Sequence, residues 1–203
     1  MYSCLHIFIW TCCISDLNSN KTTMKKLPIL AVLALILTSC WSTTTDSNTK
    51  AYSWSGFTMN VPSAWINVEK QALPQIQNWN IELALTSTDI KAWFANNLVV
   101  LSESVQEWTT SVKYSIVNYV RATWAVKQYT KTDDIDFKFQ DNDEGKMYVF
   151  DAKYTDATPM RKFIQTAKVC WKKAYLMTIG LNIDNTTVTK YEDLLKSFAC
   201  KTN

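Results

Sequence analysis

The stretch GFTMNVPSAW, residues 56–65, decides the fold of this chain. Apolar and polar residues alternate from Phe57 to Val61, which is the period of a β-strand with one buried face. Pro62-Ser63 is a typical turn pair, because proline presets φ and serine hydrogen-bonds to nearby backbone. The sequence therefore predicts a hairpin whose second strand runs from Trp65 to Val68.

Further strands and a meander follow this hairpin. Ile81 to Leu85 and Leu98 to Leu101 have the composition of strands joined by a loop, and Leu73 to Asn78 is interpreted as a short helix. Later strands are predicted at Val126–Thr130 with Asp134–Phe139, Lys146–Tyr154, Lys162–Cys170 and Ala174–Asn182. Turns are expected at Asp141–Gly145, Thr155–Pro159 and Trp171–Lys173, where residues that favour turns cluster.

Two segments have the period of a helix. Apolar residues recur at helical spacing over Val112–Thr123, including Ile116 and Val120, and Ser111 is the expected N-cap. Tyr191–Phe198 repeats the pattern at i, i+3, i+4 and i+7, with Thr187 as its cap. This order of elements predicts an α+β fold, an antiparallel β-sheet with helices packed against it.

Three motifs together resemble the PsbP-like family. They are GFTMNVPSAW at 56–65, the strand AYLMTIGL at 174–181 and the closing helix YEDLLKSF at 191–198. The resemblance covers about residues 51–200 and implies a PsbP-like α+β domain. It carries no catalytic residues, and it implies a role in binding or assembly.

The segment before this domain resembles a bacterial lipoprotein signal. Met24-Lys25-Lys26 is basic, and Leu27–Leu37 is an apolar run of the length that a secretory signal uses, shorter than a membrane span. Leu37-Thr38-Ser39-Cys40 matches the lipobox pattern at every position. Cys40 is the predicted lipid attachment site, and the alternative is an ordinary cleaved signal with a chance cysteine.

The chain thus divides into four parts. Residues 1–23 are interpreted as a mis-called N-terminal extension, with a membrane-associated peptide as the alternative, and residues 24–39 as the signal peptide. Residues 40–50 are the lipidated cysteine and a polar tether, and 51–203 the domain. The predicted location is the cell envelope, anchored through lipidated Cys40 and facing the extracytoplasmic side.

The net charge and the histidine content argue against several classes of function. After Cys40 the chain holds 18 Lys and Arg against 17 Asp and Glu, a net charge of +1, which argues against nucleic-acid binding. The single histidine is His6, so the mature domain lacks histidine-dependent triads and zinc sites. Cys170 and Cys200 predict a disulfide in an exported protein, and the alternative is two free buried thiols.

The charged clusters favour structural roles. The run from Asp133 to Glu144 suggests calcium only weakly, because its spacing differs from the EF-hand pattern and suits a hairpin turn. Glu103 and Glu107 suit glycoside hydrolysis by residue type alone. The basic residues Arg161, Lys162, Lys168, Lys172 and Lys173 are expected on a solvated strand face and turn.

The chain has 3 Gly and 9 Trp, which inverts the usual order of these residues. Trp54, Trp79, Trp108 and Trp171 lie in contexts typical of turns, where glycine is favoured. The hypothesis is that most tryptophans are glycines encoded by UGA, with Trp65 as the exception. If the tryptophans are real, exposed aromatics instead favour a surface that stacks on sugars or peptides.

These observations predict a non-enzymatic, lipid-anchored envelope protein that binds an unidentified protein partner or assists assembly, with no metal and no cofactor. The alternative is a lipoprotein that binds carbohydrate or peptidoglycan through exposed aromatics. A hydrolase is disfavoured by the lack of histidine. The tyrosines at 114, 119, 148, 154 and 175 are expected to pack on a sheet face.

Overall fold

The structure is a computed structural model that describes residues 48–73, 75–76, 78–185 and 187–201. Cys40, the signal segment and most of the tether lie outside these residues. The first strand already begins at Thr49, so the last two residues of the predicted tether belong to the folded domain. Among the described residues, no helix is both long and apolar enough to cross a membrane.

The described chain forms ten strands and two α-helices. The strands are β1 (Thr49–Trp54), β2 (Phe57–Pro62), β3 (Ile66–Asn67), β4 (Asn80–Lys91), β5 (Phe94–Ser104), β6 (Lys127–Lys138), β7 (Glu144–Lys153), β8 (Arg161–Cys170), β9 (Lys173–Asn182) and β10 (Ala199–Cys200). The helices are α1 (Ser111–Ala125) and α2 (Thr189–Lys196), and Lys70–Ala72 forms one 3-10 turn.

The strands make two antiparallel sheets. The small sheet has the order β1-β2-β10, and the large sheet has the order β3-β4-β5-β9-β8-β7-β6. The small sheet and α2 pack on one face of the large sheet, and α1 packs on the other. An antiparallel sheet with packed helices is confirmed, but the strands divide between two sheets where one was predicted.

The stretch at residues 56–65 forms the contact between the sheets. Phe57, Met59 and Val61 are at most 2% exposed, so one face of β2 lies entirely in the main core. The ring of Phe57 stacks on Phe198 after α2, with ring centroids 4.7 Å apart. Trp65 is also buried and packs on Tyr191 of α2. The motif residues therefore join the small sheet to the closing helix. The predicted hairpin is wrong, because β2 pairs with β1, whereas β3 pairs with β4 in the large sheet.

Several strands are longer than the sequence predicts. β4 and β5 extend well beyond 81–85 and 98–101 and are joined by the two-residue turn Ala92-Trp93, where a loop was expected. β6 is one strand across the predicted break, with register shifts between Lys127 and Asp133. The added residues are largely exposed, so they lack the alternation that marks a half-buried strand.

The helix predictions need three corrections. The predicted helix at 73–78 is wrong, because the described chain has only the 3-10 turn just before it. The cap of α1 is Thr110, whose side chain accepts from the Lys113 N–H, because the Ser111 hydroxyl is engaged elsewhere. α2 starts at Thr189 after Val188, with no side-chain cap, so Thr187 does not cap it.

The tyrosines pack as expected, on both faces of the large sheet. Tyr119 of α1 stacks on Tyr148 of β7 with ring centroids 3.8 Å apart, and Tyr154 meets Phe163 edge-on. On the opposite face, Tyr175 is buried in the main core.

A disulfide joins Cys170 at the end of β8 to Cys200 of β10, with Cα atoms 5.6 Å apart. It links the two sheets at the end of the chain. The closed loop spans 30 positions and contains β9 and α2. The chain-entropy account of such a loop attributes roughly 3–4 kcal/mol of stability to the cross-link.

We expect reduction of this disulfide to lower the free energy of unfolding by roughly 3–4 kcal/mol, because the reduced unfolded chain regains the freedom of the loop. The measurement is urea denaturation with and without reductant, and the variant with Cys170→Ala and Cys200→Ala serves as control. Two titratable thiols in the untreated domain would contradict the pairing.

Candidate functional site

Helix α1 carries apolar side chains on the face that points away from the sheet. Ile116, Val117 and Val120 are 41–47% exposed, and with Trp124 they follow one side of the helix. We call these four residues the α1 stripe. The helical spacing predicts Ile116 and Val120 on the buried face, and this is wrong.

Hydrogen bonding to β8 explains why α1 buries its other face. β7 stops pairing with β8 at Thr166, and beyond that point two α1 serines bind the free edge of β8. The Ser115 hydroxyl accepts from the Ala167 N–H at 3.0 Å, and the Ser111 hydroxyl accepts from the Val169 N–H at 3.0 Å. Because buried backbone groups need partners, these bonds turn the serines inward and the stripe outward.

A groove of about 500 Å³ lies beside the stripe. Its walls come from the end of β5, the loop that follows and the first half of α1, and we call it the α1 groove. It is lined by Glu103, Ser104, Val105, Gln106, Trp108, Thr109, Lys113, Tyr114, Val117 and Arg121. Val117 belongs to both features, so the groove and the stripe form one continuous surface.

Three polar side chains in the groove are bonded to one another. The Tyr114 hydroxyl donates to Glu103 Oε1, and Arg121 Nη1 lies 3.4 Å from the same oxygen. Burial, followed by the hydrogen bond to Glu103 and its negative charge, raises the pKa of Tyr114. The phenol therefore stays protonated at neutral pH and does not act as a base.

This arrangement suits binding better than acid–base chemistry. Glu103 is held by Tyr114 and Arg121, whereas Glu107 is exposed and lies 3.3 Å from Lys172. The two glutamates thus have separate partners. Arg121 is about half exposed, so its remaining N–H groups are accessible for backbone carbonyls or carboxylates.

The acidic run from Asp133 to Glu144 is held by lysines. Lys168 is 2% exposed, and its ammonium lies 2.8 Å from both Asp141 and Asp143. Lys146 lies 2.6 Å from Asp134 and 2.8 Å from Asp136. Within the described ranges no cluster of acidic, cysteine and histidine residues suits a metal ion.

Two basic residues expected on a solvated face are buried. Lys168 holds the β6–β7 turn as described above. Arg161 is 6% exposed and donates to Asn182 and to the Ala92 carbonyl in the β4–β5 turn. The expectation is wrong for both, because each side chain reaches fixed acceptors in a neighbouring turn or strand.

Glu82 is a buried acid, and the sequence patterns did not identify it. Its carboxylate accepts from Lys173 at 2.6 Å, from Ser102 at 2.6 Å and from the Trp54 indole at 3.1 Å. Burial raises the pKa of Glu82, but these hydrogen bonds outweigh it and the net shift is downward. The carboxylate therefore stays charged and joins β1, β4 and β9.

The described tryptophans range from buried to largely exposed, with Trp79 half-buried and Trp54 41% exposed. Trp65 is 7% exposed, whereas Trp93, Trp108, Trp124 and Trp171 are 71–86% exposed. No two of these four exposed rings contact each other in the part of the chain that the structure describes. Trp93 and Trp171 also have φ near +60°.

Comparison with solved structures identifies the fold. The chain is similar to the cyanobacterial PsbP protein of Synechocystis, with a TM-score of 0.55 and 15% identity, over 81% of this chain and 99% of that one. The fold is PsbP-like. A protein of unknown function from Pseudomonas aeruginosa gives a TM-score of 0.50 and 9% identity, over 77% of this chain and 99% of its own.

A third similar structure is the Ran-binding protein Mog1p of Saccharomyces cerevisiae, with a TM-score of 0.47, 7% identity, and coverage of 75% of this chain and 95% of that one. Neither a family model nor a curated protein matches the sequence. At these identities the likeness extends to the fold and not to any site residue.

The buried ion pairs predict how stability depends on pH. Burial raises the pKa of Asp141, but the hydrogen bond from Lys168 outweighs it and the net shift is downward. A carboxyl group whose pKa is lower in the folded state stabilises the protein at pH values above its pKa in the unfolded chain, which is about 3.9. This stabilisation is lost as the pH falls through the pKa of the folded state. We therefore expect the free energy of unfolding to decrease as the pH drops below about 4.

Lys168→Met should lower the free energy of unfolding at pH 6 by about 1–3 kcal/mol, because Asp141 and Asp143 lose their buried partner. It should also flatten the decline in acid, as measured by urea denaturation from pH 6 to pH 2. Lys172→Met is the matched control, since its pair with Glu107 is exposed. Identical pH curves for the two variants would contradict the role of Lys168.

Proposed function

We propose that this chain is a lipid-anchored cell-envelope protein that binds a protein partner through the α1 groove and the α1 stripe, with no catalytic role of its own. The observation that carries the proposal is the continuous surface formed by Val117, where an unpartnered apolar helix face meets a groove with a polar floor. Exposed apolar patches of this kind are typical of interaction sites.

The composition of the surface supports a protein as the occupant. Ile116, Val117 and Val120 supply the apolar centre, and Lys113 and Arg121 supply charges at its border. An apolar centre with a polar rim is the usual anatomy of a protein interface. Trp108 lines the groove and Trp124 ends the stripe, but the apolar centre and the charged border that carry the proposal contain no tryptophan.

The anchor is proposed from the lipobox, Leu37-Thr38-Ser39-Cys40. Acyl chains on Cys40 would hold the domain at the membrane, because each buried methylene contributes about 0.8 kcal/mol. The short polar segment between Cys40 and β1 would then keep the binding surface near the bilayer. Cleavage at Cys40 would also remove residues 1–39 from the mature protein.

Photo-crosslinking in the native cells tests the binding surface. A photoreactive residue at Val117 or Val120 should cross-link the same protein, whereas one at the exposed Lys190 on α2 should not, because α2 lies on the opposite side of the large sheet. Equal cross-linking from Val117 and Lys190 would overturn the assignment.

Val120→Glu should abolish the cross-link from Val117, because a charge in the centre of an apolar interface remains without a partner. The melting temperature should change little, since Val120 is 41% exposed. Lys190→Glu is the control that should leave the cross-link intact. A retained cross-link in Val120→Glu would show that the stripe is not the interface.

Intact mass analysis tests the anchor. The mature chain should begin at Cys40 with the added mass of two or three acyl chains, and Cys40→Ser should release the protein from membranes. An unmodified Cys40, or a chain that keeps residues 1–39, would contradict the anchor without affecting the binding surface.

We also propose that most tryptophans are glycines in the native protein. Ala92-Trp93 joins paired residues Lys91 and Phe94, and both turn residues have positive φ, as in a type I′ turn. Trp171-Lys172 joins paired Cys170 and Lys173, with positive φ at the first turn residue, as in type II′. These are the turn positions at which glycine is strongly preferred.

The alternative function depends on these tryptophans. If the tryptophans are real, four rings more than 70% exposed favour a lipoprotein that binds carbohydrate or peptidoglycan by stacking. The four rings make no contact with one another among the described residues, which is less suited to a continuous stacking platform. Peptide mass spectrometry on native protein decides between glycine and tryptophan at positions 54, 93, 108 and 171.

The positive φ of Trp93 and Trp171 also predicts how glycine would change the stability of the sequence that contains tryptophan. Trp93→Gly and Trp171→Gly should each raise the free energy of unfolding by about 1 kcal/mol, because a side chain in the left-handed region costs about 1–2 kcal/mol. Trp65→Gly is the matched control and should lower it by about 3–5 kcal/mol, because it empties a buried site. Lower stability in Trp171→Gly, measured by urea denaturation, would contradict the turn argument.

A further inference from the structure

A second pocket, of about 70 Å³, lies between the last turns of α1 and the large sheet. Its apolar walls are Val99, Ala122, Val126, Phe150, Phe163 and Leu176. Four uncharged polar side chains complete it, from Asn97, Tyr154, Gln165 and Thr178. None of the described residues that line this pocket is charged.

Two polar atoms on the lining residues lack a hydrogen-bond partner. They are Gln165 Oε1 and the Tyr154 hydroxyl, and both atoms are fully buried. Gln165 as a whole is 6% exposed, and its Nε2 donates to Thr178 at 3.1 Å. A buried polar atom without a partner is destabilising, so the protein is stabilised by any group that pairs with it.

The Gln165 amide determines whether such a partner must donate or accept a hydrogen bond. The oxygen and nitrogen of an amide are assigned from their hydrogen bonds, and Thr178 can either accept from the nitrogen or donate to the oxygen. In either orientation one end of the amide remains unpaired. A hydroxyl group satisfies both cases, because it donates one hydrogen bond and accepts others.

We propose that this pocket binds a small neutral molecule with an apolar body and one hydroxyl group. The hydroxyl pairs with Gln165 and Tyr154, and the body lies against Val99, Ala122 and Leu176. A largely apolar pocket with a few polar groups at fixed positions is the usual form of a small-molecule site. This site is separate from the α1 groove, so it stands independently of the proposed protein partner.

Charge and size narrow the class of ligand. A charged group is excluded, because an unpaired ion in such surroundings loses its hydration without compensation. The Tyr154 phenol is itself kept neutral, since burial raises its pKa. A cavity of about 150 Å³ holds the six carbons of benzene, so a pocket of half that volume suits a body of about three non-hydrogen atoms.

Isopropanol is the probe, and isopropylammonium is its charged counterpart of similar shape. Isopropanol should produce saturable shifts in the methyl resonances of Val99, Ala122, Val126 and Leu176 at millimolar concentration, and isopropylammonium should not. Gln165→Leu should weaken the binding of isopropanol about fivefold, which corresponds to the contribution of about 1 kcal/mol from one hydrogen bond.

Two variants on α1 separate the pocket from the helix surface. Ala122→Val adds two methyl groups inside the pocket and should abolish saturable binding. Ala125→Val makes the same change on the same helix outside the lining and should leave binding unchanged, with thermal unfolding confirming that both variants fold. Shifts that do not saturate, or unchanged affinity in both Ala122→Val and Gln165→Leu, would mean that the polar atoms pair only with water and would overturn the proposal.

Discussion

The ring of Phe57 is the contact on which the rest of the structure depends. It lies between Phe198 and Tyr175, with ring centroids 4.7 and 5.2 Å away, and is completely buried. Three short strands have too little apolar surface to persist alone, so the small sheet needs this contact with the large sheet. The same ring fixes the end of α2, because Phe198 immediately follows that helix. The Cys170–Cys200 link then holds β10 beside β2.

The sequence predicted the parts of the fold in which one face of a strand is buried. The ends of β8 and β9 fall within one residue of the predicted positions, because both strands are buried along most of their length and the core-facing residues of β9 are almost all apolar. β4 was predicted only at its buried centre. Its second half is half-buried at Thr86 and Ser87 and exposed on both faces from Thr88 to Lys91, and its pairing with β5 is irregular between Thr86 and Ile90. Hydrophobic patterning carries no information about such a segment, whereas the turn that closes it does.

The buried face of α1 could not be predicted from apolar spacing. Its inward residues include Ser111, Ser115 and Asn118, and its most hydrophobic stripe points outward. The deciding factor is a non-local one, the end of the β7–β8 pairing, which leaves N–H groups of β8 to be satisfied by serine hydroxyls. Asp143 joins the same network, because it accepts from both Ser111 and Lys168. The candidate binding surface therefore exists because backbone hydrogen bonding, and not hydrophobic burial, orients this helix.

The backbone conformation of the turns bears on which surface is functional. The described residues with left-handed φ include Gly56, Asn78 and Asn142, which are residue types that adopt this conformation at low cost. Trp93 is the second residue of its hairpin turn and Trp171 is the first residue of another, and both have positive φ, where a bulky side chain is strained. A stacking surface would thus place two of its aromatic rings at the positions where the fold tolerates a side chain least. The α1 surface has no such conflict, since Ile116, Val117 and Val120 lie in a regular helix whose buried face is already fixed by β8. Function on Ile116, Val117 and Val120 is therefore compatible with the turns that the fold requires, whereas stacking on Trp93 and Trp171 is not.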